Sequence, residues 1–326
     1  GGLGIGVVLV GMMLAASTGI VGATVVTMGT LSLPAMIKAG YDQKIATGTI
    51  CAAGTLGQII PPSIVLILLA SILQGANEEA AMMTGSLVPE PVTAIDLFAG
   101  ALFPGLLLVF LYLSYQIIIA FISPSSSPPL VSHRENNDED TNVFDLIKII
   151  SAPLILIIIV LGSILTGIAT PTESAAVGAV GATVIAIVSN KFTFQILKIV
   201  SQETTKISSM VFIILIGASM FSLVFRGFGG DIVVEEFLMN LPGGAISAML
   251  IVMAIIFFLG FFLDFIEIIF VVVPIVSPIL IAMGFDPLWL GVMIGINLQT
   301  SFLTQPFGFS LFYLRGVAPK EVNTKD

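Results

Sequence analysis

Long apolar runs fill most of the chain, and the positions that interrupt them carry the information. Gly40 to Ser63 reads GYDQKIATGTICAAGTLGQIIPPS, with Gly54, Gly57, Pro61 and Pro62 inside an apolar run that continues to about Ile72. Glycine frees the backbone and proline removes an N–H donor, so a helix through this stretch is expected to unwind. Unwound backbone at membrane depth is tolerated only where protein encloses it or it lines a cavity. The pattern predicts a broken membrane helix from Lys44 to about Leu73.

A second stretch repeats the first. Gly284 to Gly308 reads GFDPLWLGVMIGINLQTSFLTQPFG, and both stretches open with Gly-aromatic-Asp, run apolar, then break at Gly, Thr, Ser and Pro. Pro61 lies 21 residues after Gly40 and Pro306 lies 22 after Gly284. The match extends upstream. An arm from Gly1-Gly2 ends at Ser17-Thr18-Gly19 and a second arm runs to Pro34; an arm from Gly243-Gly244 ends at Leu263-Asp264, and the next carries Pro274 and Pro278. The arms are short for a crossing of ~20 residues. Each pair therefore reads as a re-entrant helical hairpin, and the alternative for the first is one long helix with a small-residue packing patch. The predicted plan is a duplicated unit of hairpin, Gly-aromatic-Asp turn and broken helix. Residues 1–75 hold the first transport repeat, 76–242 the connecting scaffold helices, and 243–326 the second repeat.

Between the repeats, 74–96 reads as a polar loop and 97–122 as a span. The run SPSSSPPLVSHRENNDED marks a linker over 123–145, and 146–165 spans again. Thr170-Pro171-Thr172-Glu173 opens the next span with cap residue, proline and a carboxylate at capping-box spacing. Glu173 is thus either a cap or a functional carboxylate. Residues 191–208 are expected to lie along the membrane surface, 209–225 to span, and 226–241 to form an acidic loop.

Composition agrees with this all-α, polytopic reading: 57% of residues are hydrophobic and 10% charged, against roughly a quarter charged in soluble domains. The net charge of -9 belongs to loops and says little about partners. A single cysteine, Cys51, and a single histidine, His133, leave no disulfide, metal cluster or nucleophile–base pair, and no phosphate-cradling loop is present. An intramembrane enzyme is therefore remote, and nucleic acid is not an expected partner. The chain opens inside an apolar segment without an initiator methionine, so helices are expected to precede it. If the two hairpins enter from opposite sides, ten of the eleven basic residues fall on one side, Lys38, Lys191 and Arg315 among them, and only Arg226 on the other. That asymmetry marks the cytoplasmic side, places the C-terminus there, and makes the repeats inverted.

Inverted repeats with broken helices point to a secondary transporter with its site near the midplane. The polar groups expected to meet there are Ser17, Thr18, Gly54, Thr55, Gly57 and Ser63 from one half, and Asp264, Asn297, Gln299, Thr300, Ser301 and Thr304 from the other. These are hydroxyl, amide and carbonyl oxygens with one carboxylate, a set suited to Na⁺. Half-helix N-termini at the hairpin tips can face an anionic substrate. Asp264 and Glu267 lie in an apolar run, where a carboxylate is costly and functional by default; the alternative is that Asp264 caps the second arm and Glu267 supports the turn. An ion channel would share these features without gradient coupling.

Four motifs carry a family resemblance: AASTGIVGATVVTMGTLSLPAM (Ala15 to Met36), GTLGQIIPPS (Gly54 to Ser63), TPTESAAVGA (Thr170 to Ala179) and LQTSFLTQPFGFSLFYLRGVAP (Leu298 to Pro319). Together they resemble the large membrane subunit of tripartite ATP-independent periplasmic (TRAP) transporters. The resemblance implies uptake of a small organic acid across a bacterial inner membrane, driven by a Na⁺ gradient and an elevator-like movement. It implies two protein partners, a small membrane subunit and a periplasmic binding protein, and no cofactor beyond Na⁺ as coupling ion. By position it places Na⁺ at the first hairpin tip with Gly54 to Pro62, and at the second tip with Leu298 to Pro306. The cation ligands are then expected among Ser17, Thr18, Gly54, Thr55, Gly57, Pro61, Asp264, Thr300, Ser301 and Thr304. The substrate carboxylate is expected at Ser17, Gly19, Ser63, Asn297 and Gln299. Gln305 stands where the family has a first proline, which implies a milder second break. A one-component Na⁺/dicarboxylate symporter of similar architecture is the alternative.

Overall fold

Glycine, proline and capping residues set the turns and breaks of a chain that is otherwise helical. The computed structural model describes residues 1–86, 89, 91–129, 143–305, 308–319 and 322, with backbone alone over 143–150. Among the described residues there is no strand. Glu90, His133, Arg134, Pro306, Lys320, Lys325 and the linker residues 130–142 lie outside them.

The first hairpin is α1 (Gly2–Thr18) and α2 (Val21–Lys38), joined through Gly19 at φ 62, a left-handed conformation that glycine adopts without steric cost. The first broken helix is α3 (Gln43–Thr55), a 3-10 turn over Leu56–Gln58, five non-helical residues and α4 (Ile64–Thr84). Then follow α5 (Ala94–Ile122), α6 (Val143–Leu165), α7 (Pro171–Val188), α8 (Phe194–Gly227) and α9 (Gly230–Met239). The second hairpin is α10 (Gly244–Leu259) with a composite arm: α11 (Phe265–Glu267), a π-helical stretch Ile268–Val272 and α12 (Val273–Ala282). The second broken helix is α13 (Pro287–Phe302) and α14 (Phe309–Val317). Asp42 and Asp286 cap α3 and α13, their carboxylates accepting from the Lys44 N–H at 2.8 Å and the Trp289 N–H at 2.7 Å. Pro274 offers no N–H to the Phe270 carbonyl, and just before it the Val273 N–H reaches back five residues to the Ile268 carbonyl.

Among the described residues six helices are long and apolar enough to cross a membrane: α2, α4, α5, α7, α8 and the continuous Phe265–Ala282. The chain is a multi-pass, all-α membrane protein. The second arm of each hairpin, expected to be short for a crossing, has 18 residues, the lower edge of crossing length.

Three expected elements differ. The loop over 74–96 is helical as far as Thr84, because Ala, Gln, Glu and Met favour helix and Ala76, Ala80 and Ala81 bury one face. Gln74 Nε2 donates to Glu78 Oε1 one turn on, at 2.9 Å. The acidic loop over 226–241 is largely α9, with Asp231 in its first turn. Residues 191–208 and 209–225 do not separate, since no proline or glycine falls between Phe194 and Ile216. They form one helix of 34 residues, about 51 Å long.

The chain divides into two compact units. The first holds Gly1–Ser63, Ala101–Val188 and Phe309–Asp326. Its α1, α2, α3 and α14 pack around Val25, Met28, Leu33, Ile50, Leu56 and Ile59, and the unit also holds most of α5 and the α6–α7 pair. Ser310 Oγ donates to the Cys51 carbonyl at 3.1 Å, fixing α14 on α3. Ser163 and Ser174 hydroxyls share a 2.8 Å bond between α6 and α7. The second unit holds Ile64–Gly100 and Ser189–Gly308. Its core is Leu66, Leu69, Leu73, Leu97, Ile269, Leu280, Leu290 and Ile294. Within it Arg226 grips both oxygens of Glu79, each at 2.9 Å. Each unit thus owns one hairpin, the first half of one broken helix and the second half of the other.

Candidate functional site

In the first unit the hairpin tip and the helix break are pressed together. Gly57, inside the 3-10 turn, lies so close to α1 that a Cβ there would sit 3.0 Å from the Ala15 carbonyl oxygen. A Cβ on Gly54 would run into the Val25 side chain of α2. Pro61 and Pro62 have no N–H for the Gly57 and Gln58 carbonyls, so the α-helical ladder stops. Ser63 replaces one donor: its Oγ donates to the Gln58 carbonyl at 2.6 Å.

Hydroxyls crowd this cluster, and their protons point inward to backbone. Ser17 Oγ and Thr18 Oγ1 both donate to the Leu14 carbonyl, at 2.8 and 2.9 Å, and Thr55 Oγ1 donates to Ala52 at 2.9 Å. Thr18 and Thr24 hydroxyls share a 2.8 Å bond. A hydroxyl that spends its proton on a carbonyl presents oxygen lone pairs on its other side. Among the expected residues of this half, Gly19, Gly54, Thr55, Gly57, Pro61 and Ser63 are buried, Thr18 half-buried and Ser17 exposed. At the start of α2 the N-cap Ile20 supplies no side-chain acceptor for the opening N–H groups.

The second unit repeats the contact with different parts. Gly260, where α10 ends, faces the Ser301 side chain so closely that a Cβ there would collide with it. The Phe265 and Phe302 rings pack at 6.2 Å between centroids. Asn297 Nδ2 donates to the Met253 carbonyl of α10 at 2.7 Å, tying α13 to the hairpin. Ser301, Thr300 and Thr304 hydroxyls donate to the Leu298, Asn297 and Thr300 carbonyls at 2.8, 2.8 and 2.9 Å. Gln299 and Ser301 are buried, Asn297, Thr304 and Asp264 half-buried, Thr300 exposed.

Of the two roles open to Asp264, the geometry fills the structural one. Its carboxylate accepts from the Phe265 N–H at 2.8 Å, and Glu267 Oε2 accepts from the Asp264 N–H, a complete capping box. Glu173 likewise caps α7: its Oε2 accepts from the Thr170 N–H and Oγ1, both at 2.8 Å. Two buried groups at the first break escaped the sequence reading. Thr24 completes the tip, and Gln58 lies wholly enclosed in the 3-10 turn. The signal for Gln58 was present, an amide in the otherwise apolar run LGQII.

Residues 1–325, nearly the whole chain, match the family described as tripartite ATP-independent periplasmic transporter, DctM component. The chain belongs to that family. Similar proteins include the C4-dicarboxylate TRAP transporter large permease protein DctM of Vibrio cholerae, 31% identical over 98% of this chain and 70% of the relative. The Pseudomonas aeruginosa protein of the same name is 30% identical, covering 97% of this chain and 69% of its own length. The isethionate TRAP transporter permease protein DctMQ of Oleidesulfovibrio alaskensis is 27% identical over 99% of this chain and 47% of its length. Members of the DctM family are permease subunits of transporters rather than enzymes. The two hairpin–break clusters therefore sit in a transport subunit.

Proposed function

We propose that this DctM-family chain imports a small organic acid across a bacterial inner membrane, coupled to a Na⁺ gradient. A periplasmic binding protein supplies the acid, a small membrane subunit braces the permease, and the C-terminus lies on the cytoplasmic side. The observation that supports this most is the pair of hairpin–break clusters, each with several hydroxyl oxygens gathered beside a helix end and donating to backbone carbonyls. Such oxygens suit a hard monovalent cation. In this reading Ser17, Thr18, Gly54, Thr55, Gly57 and Pro61 supply one cation site, and Asp264, Thr300, Ser301 and Thr304 supply another. Ser17, Gly19, Ser63, Asn297 and Gln299 remain the groups proposed for the carboxylate. The hairpins are inverted repeats that alternate access by rigid-body, elevator-like movement. Relatives whose names carry C4-dicarboxylate and isethionate support a small organic anion as cargo, and the name DctMQ supports a small-subunit partner.

The test is uptake into proteoliposomes holding the permease with its small subunit, with and without an inward Na⁺ gradient and the binding protein. Uptake that requires both is the expected result. Uptake needing Na⁺ alone indicates a one-component symporter, and flux independent of the gradient indicates a channel. Thr55→Val and Thr304→Val each remove a hydroxyl without changing shape and are expected to weaken Na⁺ activation. Unaltered activation in both variants would overturn the cation assignment.

A further inference from the structure

Gln58 in the first cluster has 0% of its surface exposed, and neither Nε2 nor Oε1 has a hydrogen-bond partner among the described residues. Burying a primary amide without partners is unfavourable at both atoms. An apolar side chain of similar size would fill the same space without that cost. The backbone around it is held firmly. Gly57 touches the Ala15 carbonyl, and the Gln58 carbonyl itself accepts from Ser63. The backbone at Gln58 is thus used by the fold, while the chemistry of its side chain is not.

A primary amide carries a donor and an acceptor and no charge. It can meet a carboxylate oxygen through Nε2 and a hard cation through Oε1, and being neutral it avoids the cost of burying an unpaired ion. We propose that Gln58 reads both ligands of the transport cycle: Nε2 donates to a carboxylate oxygen of the transported acid while Oε1 faces the coupling Na⁺. This rests on the Na⁺-coupled organic-acid reading above and assigns it a residue that binds acid and cation together. One side chain contacting both ligands makes each bind better when the other is present, which is coupling in the thermodynamic sense.

Two substitutions separate the two ends. Gln58→Leu removes both atoms; Gln58→Glu keeps an oxygen for the cation and replaces the donor with a carboxylate oxygen that repels an anion. Both are made in the permease with its small subunit. The measurements are the unfolding midpoint with and without Na⁺, and uptake of ¹⁴C-labelled acetate, lactate, pyruvate and succinate in the presence of the binding protein. Gln58→Leu is expected to leave the Na⁺-free midpoint unchanged or raise it, to shrink the Na⁺-induced shift, and to raise KM about tenfold. Gln58→Glu is expected to keep the Na⁺-induced shift and lower uptake about tenfold. A lower Na⁺-free midpoint in Gln58→Leu with unchanged KM and Na⁺ activation makes Gln58 structural and overturns the proposal. Wild-type uptake and Na⁺ response preserved in both variants overturn it too, while leaving the transport reading intact. Failure of the wild-type complex to carry any of the four acids with Na⁺ removes that reading and this inference with it.

Discussion

At the first hairpin tip, α2 begins at Ile20, whose side chain makes no cap hydrogen bond, whereas at the second Asp264 and Glu267 close a capping box. An uncapped helix start carries partial positive charge and free donors, an arrangement that favours an anion. Two carboxyl groups at the other start supply those acceptors internally and favour a cation. The close contacts differ as well. Gly57 meets a backbone carbonyl that cannot be trimmed, while Gly260 meets the side chain of Ser301, which can. Similar sequence patterns therefore yield tips with different charge preferences and different mechanical tolerance.

The strongest way to break this comparison is to fill the glycines. Gly57→Val and Gly260→Val each overpack a buried contact and are expected to lower stability by about 1–3 kcal/mol. Adding Ser301→Gly is expected to restore much of the loss for Gly260→Val, read as the unfolding midpoint in detergent. Trimming the neighbour of Gly57 by Ala15→Gly leaves its carbonyl in place and is expected to leave Gly57→Val unrescued; equal rescue in both units would erase the distinction. Next in size is the cap. Asp264→Ala is expected to cost about 1 kcal/mol, whereas Asp264→Asn keeps an accepting oxygen and costs a few tenths. If the Asn variant needs more Na⁺ for half-maximal uptake at near-normal stability, the carboxylate serves the cation as well as the helix.

A smaller effect tests the open tip. Ile20 already has the extended N-cap conformation, at φ -127 and ψ 122, so Ile20→Asp is expected to gain about 0.5 kcal/mol of stability. The same change places a negative charge at the helix start and is expected to lower organic-acid uptake. Unchanged uptake would show that the open tip of α2 plays no part in anion binding. The smallest effect is remote from both tips. Glu79→Gln removes the partner of Arg226, but the pair is more than a third exposed on both side chains, and a loss of about 0.5 kcal/mol is expected.

Much of this was legible in the residues. Gly19 announced the first tip, Pro61-Pro62 the first break, and Thr170 with Glu173 the start of α7, because each has a local cause within a few positions. Asp264 and Glu267 were readable as a cap for the same reason. The readings that failed were those that took polarity for irregularity. Gln74 to Thr84 and 230–239 are polar on one face only, and a helix that buries alanines or leucines on the other stays folded. Residues 191–208 were separated from 209–225 by composition, although nothing in the backbone chemistry of that run breaks a helix. Gln58 was passed over because its meaning depends on having no partner, which is a property of the whole fold. The allotment of each broken helix to two different units lies equally beyond any local pattern.

That allotment bears on how the molecule is made. The chain passes from one unit to the other at Ser63/Ile64, Gly100/Ala101, Val188/Ser189 and Gly308/Phe309. The first unit begins with α1 and α2, yet α14, which covers α2 and α3, is made only after every segment of the second unit. A Cβ on Gly22 would stand 2.9 Å from the Tyr313 ring, so the seam it closes is tight. Until Phe309–Val317 arrives, that face of the first hairpin is bare, and the first unit must wait for the second to be translated. A stop codon placed just before Phe309 would spare every segment of the second unit but leave the first permanently unfinished.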